Sequence, residues 1–149
     1  MTDLTIDATK VRIVRHGNND LYTAPVGETG TAGEYYRLNT TTAKLENGNA
    51  TTPTELGRVA GILVDSVPTA NLTGTIVLAG SGAILDLGNA LDGLAFNAPI
   101  YVSDTDGKIA DSAGTEEKII GRVVPGFNTS GSTPDKLLAL IDDPIAASA

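Results

Sequence analysis

Hydrophobic and polar residues alternate in short runs along most of this chain, which is the pattern of half-buried β-strands. The runs are separated by clusters of glycine, asparagine, threonine and proline, the residues that form turns. One stretch, 88–95, could form a helical turn, but its two glycines in eight residues weigh against a stable helix. The pattern predicts strands at 10–15, around Tyr22, and at 35–39, 43–46, 56–66, 74–78, 83–87, 99–103, 108–110, 118–124 and 136–141.

The composition agrees with an all-β fold. Of the 149 residues, 41% are hydrophobic but only 4% are aromatic, so the core must consist of valine, isoleucine, leucine and alanine. We predict a small β-barrel or sandwich with many short strands and long loops. The predicted organisation is an extended N-terminal arm over residues 1–20, with a polar and flexible beginning, followed by a single β-rich domain over residues 21–149.

A weak internal repeat runs through the predicted domain. Residues 36–59 align without a gap on residues 100–123, with six identities in 24 positions and matched apolar positions. The identities include Gly57-Arg58-Val59 against Gly121-Arg122-Val123. The alignment predicts one unit used twice, made of a strand, a turn, a short strand, a polar loop and a further strand. Chance similarity in a sequence rich in threonine and glycine is the alternative.

The charge of the chain narrows the classes of partner. The formal net charge is −8 and the pI is about 4.4, so binding to nucleic acid is not expected. No apolar run is long enough to span a membrane, and there is no cysteine for a disulfide or a thiolate metal site. Residues 1–16 nevertheless carry a net charge of +1. This basic segment is either an ordinary edge strand or an extension that contacts a partner's sheet or an acidic surface.

Candidate catalytic and metal-binding residues are few. Asp104 and Asp106 lie in a DTDG turn that could bind a cation weakly, but the spacing does not fit a calcium-binding loop, and a hairpin turn is the preferred interpretation. His16 is the single histidine, and Ser81 lacks the spacing of a nucleophile elbow. Arg58 and Arg122 each follow a glycine in an apolar stretch, and each is either a solvated charge or a member of an ion pair. We expect no enzymatic activity and no cofactor.

The stretch from Ala83 to Ile141 resembles the cement, or head decoration, proteins of tailed bacteriophages. The residues that carry the resemblance are APIYVSDTDGKIAD, IIGRVVPGF and the closing DKLLALI, and the similarity extends over about residues 34–143. The segments 17–33 and 39–55 depart from the family pattern. The resemblance implies a structural virion protein that forms a homotrimer on the outer surface of the phage head. Such a protein binds the major capsid protein and bridges its subunits.

Two sets of residues are predicted to make the contacts that this resemblance implies. The predicted capsid-facing residues are Val11, Arg12, Ile13, Arg15 and His16. The predicted trimer contact consists of Leu85, Leu87, Leu91, Leu94 and Phe96, because this segment is apolar without an evident role in a strand. The alternative functions are a trimeric fibre or receptor-binding module, or a structural module of the phage tail.

Overall fold

The computed structural model describes residues 2–130 and 133–141, and the all-β prediction is confirmed. A short 3₁₀ helix, Ala8–Lys10, precedes the first strand, and one helical turn, α1, spans Pro53–Leu56. The strands are β1 Val11–Arg15, β2 Leu21–Pro25, β3 Tyr35–Asn39, β4 Lys44–Asn47, β5 Ala60–Leu63, β6 Thr73–Leu78, β7 Ile84–Leu87, β8 Pro99–Val102, β9 Ile109–Ala110, β10 Ile119–Ser130 and β11 Thr133–Ala139. Residues 142–149 of the predicted domain lie outside the described residues.

The predicted strand at 56–66 is shorter in the structure, because α1 occupies the residues before it. Thr52 caps this helix by accepting a hydrogen bond from the backbone N–H of Glu55, and Pro53 takes the first helical position. Gly57, with φ of 73°, ends the helix in a conformation that favours glycine. The chain then bends before β5, so Arg58 lies in an exposed bend and not in a strand.

The strands form two antiparallel sheets with the same internal order. The five-stranded sheet runs β2-β6-β5-β3-β4, and the six-stranded sheet runs β1-β7-β11-β10-β8-β9. Without β1, each sheet has five strands that are consecutive in the chain, β2 to β6 in one and β7 to β11 in the other. In both sheets the first strand lies next to the fifth, followed by the fourth, the second and the third. The same strand order therefore occurs in both sheets, over more residues than the sequence alignment covers.

The strand register corrects one part of the sequence alignment. Tyr36 pairs with Gly61 in one sheet, and its equivalent Ile100 pairs with Gly121 in the other. Gly121 thus corresponds to Gly61, and the match of Gly57 with Gly121 is wrong because α1 adds residues before β5. Both glycines are required by close strand packing, since an added Cβ would lie 1.9 Å and 2.1 Å from a backbone carbonyl oxygen of the next strand.

The central strands of the five-stranded sheet are buried on both faces. Tyr35 and Tyr36 are adjacent on β3, so their side chains point to opposite faces, and both are almost completely buried. Their hydroxyls donate to the backbone carbonyls of Leu56 and Thr29. Burial raises the pKa of both tyrosines above the ordinary value, which keeps these hydroxyls protonated.

Two hydrophobic cores result, one on each side of this sheet. The larger core lies between the two sheets and combines Tyr35, Ile62 and Val77 with the inner face of the six-stranded sheet. The smaller core lies inside the curled five-stranded sheet and contains Val26, Tyr36, Leu45, Leu63, Val67 and Ile76. The sheet curls until its two edge strands, β2 and β4, meet. The contact is a hydrogen bond from the backbone N–H of Gly27, just after β2, to the carbonyl of Leu45 in β4.

The N-terminal segment is extended, but the predicted separation of residues 1–20 from the domain is wrong. Asp3 forms an antiparallel bridge with Ala110 at the β9 edge, and Leu4 is 9% exposed and belongs to the larger core. Further along, β1 pairs with β7 at the opposite edge of the same sheet. The segment therefore connects the two edges of the six-stranded sheet and contributes to its core, so it is part of the domain.

The two equivalent glycines generate a first prediction. We expect Gly61→Ala and Gly121→Ala each to lower the free energy of unfolding by about 3 kcal/mol, because a backbone carbonyl cannot move aside as a side chain can. Gly93→Ala is the matched control, since nothing lies within 4 Å of its added Cβ. Urea unfolding of the three variants measures the difference. Equal stability of all three would contradict the close packing of the strands.

The equivalent turns of the two units generate a second prediction. Ala43 and Gly107 occupy the same turn position, with φ of 58° and 72°. Because a left-handed backbone is strained in alanine, we expect Ala43→Gly to stabilise the protein by about 0.5–1 kcal/mol. The converse variant, Gly107→Ala, should be destabilising, because its Cβ would lie 2.5 Å from Nδ2 of Asn47. Thermal unfolding tests both, and a destabilised Ala43→Gly variant would contradict the assignment.

Candidate functional site

The strand β1 presents a basic surface at an edge of the six-stranded sheet. Arg12, Arg15 and His16 are exposed, whereas Val11 and Ile13 are half-buried and pack against the larger core. Of the five residues predicted to face a capsid, three therefore offer their side chains to a partner. The outer edge of β1 has no neighbouring strand among the described residues, so its outward backbone groups are also accessible. We call Arg12, Arg15, His16 and Val14 the β1 surface.

An ion pair fixes one end of the β1 surface. Arg12 Nε lies 3.1 Å from Asp86 Oδ2, directly across the β1–β7 pairing. The Arg12 side chain is 73% exposed, so this pair contributes little to stability but restrains the guanidinium. Val14 is 36% exposed and adds an apolar position between the basic side chains.

Asp20 holds the turn that follows β1. Its Oδ2 accepts hydrogen bonds from His16 Nδ1 at 2.8 Å and from the backbone N–H of Gly17 at 3.0 Å. Burial alone would raise the pKa of Asp20, but hydrogen bonds, first those from His16 and Gly17, together with the electrostatic interaction with His16, hold the pKa below its ordinary value. An ionised carboxylate only accepts, so His16 carries its proton on Nδ1. The His16 side chain is 63% exposed and is anchored by this bond.

The predicted trimer contact is wrong for three of its five residues. Leu85, Leu87 and Leu91 have no exposed surface and lie in the larger core of their own chain. Leu85 and Leu87 alternate on the inner face of β7, and Leu91 enters the core from the turns that follow. Leu94 packs against the same core and is half-buried. Phe96 is 40% exposed, with Lys136 Nζ 5.3 Å from its ring centre.

The carboxylates of the DTDG turn bind neighbouring protein groups. Asp104 accepts hydrogen bonds from the backbone N–H and the hydroxyl of Thr115, both at 2.8 Å. Asp106 accepts one from the side-chain amide of Asn49. The turn connects β8 to β9, as the hairpin interpretation predicted. Among residues 2–130 and 133–141, no three histidine, cysteine or acidic side chains are grouped as metal ligands.

A groove of mixed polar and apolar lining lies beside α1, and it was not predicted from the sequence. It lies between the β3–β4 turn and the bend before β5, and we call it the Arg37–Arg58 groove. Arg37 is 9% exposed, and its Nη2 lies 3.3 Å from Glu55 Oε2. The groove is lined by Arg37, Asn39, Thr41, Thr54, Gly57 and Arg58, among others. Arg37 lies in a strand that is buried on both faces. The sequence shows the arginine, but its burial follows only from the positions of the two cores, so the groove was not predicted.

Comparison with models of known protein families, with curated proteins and with solved structures found no match. The resemblance of residues 83–141 to head decoration proteins therefore stays a prediction. In the described part of the chain, no helix has the length and apolar character needed to cross a membrane.

The Asp20 turn generates a third prediction, on pH dependence. The lowered pKa of Asp20 means that its carboxylate contributes stability above about pH 4, the ordinary value of the unfolded chain, and loses it as the pH falls through the folded value. We expect Asp20→Ala to lower the free energy of unfolding by about 1–2 kcal/mol at neutral pH, and by less in acid. Asp65→Ala, at an exposed aspartate, is the control. Urea unfolding at several pH values measures both, and an acid-independent loss would contradict the role of the carboxylate.

Proposed function

We propose that this protein is a structural virion protein that binds the outer surface of a tailed-phage head, contacts the major capsid protein and bridges its subunits. The β1 surface is the observation that carries the proposal. It places exposed basic groups and an open strand edge on a chain whose remaining residues are strongly acidic. Such a surface suits attachment to an acidic partner by many shallow contacts.

The architecture supports a structural role for the chain. Two cores share one sheet, and the N-terminal segment is built into the larger core, so the β1 surface is held on a rigid element. A contact surface on a regular strand loses little conformational entropy when it binds. The resemblance of residues 83–141 to head decoration proteins points to the same role.

We further propose that the functional unit is a homotrimer. Three copies of one shallow contact act together, so the trimer binds a lattice more tightly than a single chain does. Since Leu85, Leu87 and Leu91 are buried in the monomer, the contact between chains must use other residues. Phe96 is the large apolar side chain of the predicted segment that remains exposed, and we place the trimer contact around it.

The fourth prediction tests this function with two measurements on the wild-type chain. We expect light scattering to give the mass of a trimer, and we expect the trimer to co-sediment with undecorated phage capsids at a saturating ratio. A monomer or hexamer that stays in the supernatant would contradict the proposal. A hexamer would favour a tail component, and a trimer that does not bind capsids would favour a fibre or receptor-binding module.

A matched pair of variants tests the β1 surface in the same assay. We expect Arg15→Glu to weaken capsid binding about tenfold or more, since a reversed charge costs about 1 kcal/mol in each subunit of the trimer. Lys108→Glu makes the same charge change at an exposed lysine between β8 and β9 and should bind normally. If both variants bind as the wild type does, the β1 surface is not the contact, even where the capsid proposal stands.

A further inference from the structure

The strand β1 contains one residue more than the part of β7 that it pairs with. Ile13 lies opposite Leu85, and Arg15 lies opposite Ile84, which is the very next residue along β7. Val14, between the two, therefore has no partner on β7, and this is the arrangement of a β-bulge. A bulge changes the face of the sheet to which the side chains after it point.

The bulge decides the direction of the Arg15 side chain. In a regular pairing, Val14 would lie opposite Ile84 and Arg15 opposite Ala83, which is completely buried in the larger core. Alternation along the strand would then turn Arg15 toward that core. With the bulge, Arg15 lies opposite Ile84 on the face away from the core, and Val14 and Arg15 are both exposed. The bulge thus places an apolar and a basic side chain next to each other on the outside.

Two carboxylates lie close to the basic groups of the β1 surface, but both are turned inward. The Asp86 side chain, which pairs with Arg12, is 24% exposed, and the Asp20 side chain, which holds His16, is 9% exposed. The Arg12 side chain is 73% exposed. Arg15 is exposed as well, and no ion pair to it occurs among the described residues. A partner that approaches this surface therefore meets the guanidinium groups before the carboxylates.

We propose that Val14 is the apolar centre of the contact made by the β1 surface, and that this surface fits a place on a partner protein where carboxylates flank an apolar side chain. Protein contacts commonly have an apolar centre and a polar rim, and the centre supplies much of the binding energy. Carboxylates match guanidinium groups in charge and in geometry. The inference rests on the proposed capsid function, and it names the chemistry that the major capsid protein must present.

The same bulge favours contact through side chains over the addition of a partner strand. A bulge interrupts the regular ladder and increases the twist of a strand, so a partner strand cannot pair regularly along the whole of β1. The like charges of Arg12 and Arg15 also oppose pairing between the β1 strands of two copies. The exposed side chains, rather than the backbone of the open edge, therefore determine what the surface binds.

The fifth prediction separates the apolar part of this contact from the charged part. We expect Val14→Thr to weaken binding to undecorated capsids about tenfold at low and at high salt, since each subunit of the trimer loses one apolar methyl group but keeps a β-branched side chain. We expect Arg15→Gln to weaken binding at about 50 mM sodium chloride and to bind as the wild type does at about 500 mM, where salt screens the charge. Co-sedimentation at both salt concentrations gives the apparent Kd.

A second neighbouring valine and arginine provide the matched controls. Val59 is 37% exposed, against 36% for Val14, and Arg58 is exposed beside it in the bend before β5. Val59→Thr and Arg58→Gln should bind as the wild type does at both salt concentrations. Val14→Ile keeps an apolar, β-branched side chain and should also bind normally. Thermal unfolding shows whether each variant is folded.

The outcomes distinguish this inference from the capsid proposal. If the wild type binds capsids and Val14→Thr binds equally well, or if Val14→Thr and Val59→Thr lose binding equally, the role of Val14 is wrong while the capsid proposal stands. An equal loss for Arg15→Gln at both salt concentrations would overturn the carboxylates on the partner. If the folded wild-type chain does not bind capsids at all, the proposed function and this inference both fail.

Discussion

The structure depends on one sheet that is buried on both faces. Tyr35 and Tyr36 supply the largest side chains of the two cores from adjacent positions on β3, and the hydroxyl of each finds a backbone carbonyl. A chain with few aromatic residues must distribute many aliphatic side chains over a large area, and two cores that share a sheet provide that area. Since the central strands cannot shift by one residue without exchanging both sets of side chains, the register is strongly fixed.

The way in which the two sheets close explains why the N-terminal segment is part of the folded domain. In the five-stranded unit, the edges meet directly through Gly27 and Leu45. In the six-stranded unit, the corresponding edges are bridged by residues 3–15, which contact β9 at one end and β7 at the other. The basic residues of β1 are therefore carried on an element that the core requires. Removing that segment would also remove Leu4 from the larger core. Substitution of an exposed side chain such as Arg15 changes the binding surface without changing the core.

The positions of the strands could be predicted from the sequence, but the packing of their side chains against other parts of the chain could not. Short runs of apolar residues, as in residues 10–15 and 83–87, are a local property, and the structure has strands there. The capping pattern of Thr52, Pro53 and Glu55 is also local, and it indicates the start of α1. The burial of Leu85, Leu87 and Leu91 was not local, because it depends on a second sheet and on the N-terminal segment that cover them. An apolar segment looks the same in sequence whether it faces its own core or another chain.

The net charge of the chain and the charge of one local surface also have different effects. Net charge describes the far field of the protein, which at −8 repels anionic partners at a distance. Binding depends on what lies within a Debye length of the contact, about 8 Å at physiological ionic strength. Within that range, the β1 surface is locally positive through its exposed residues. An acidic protein with such a surface can repel acidic neighbours at a distance and still attach to them, but only where a partner presents its carboxylates to the basic side chains of β1.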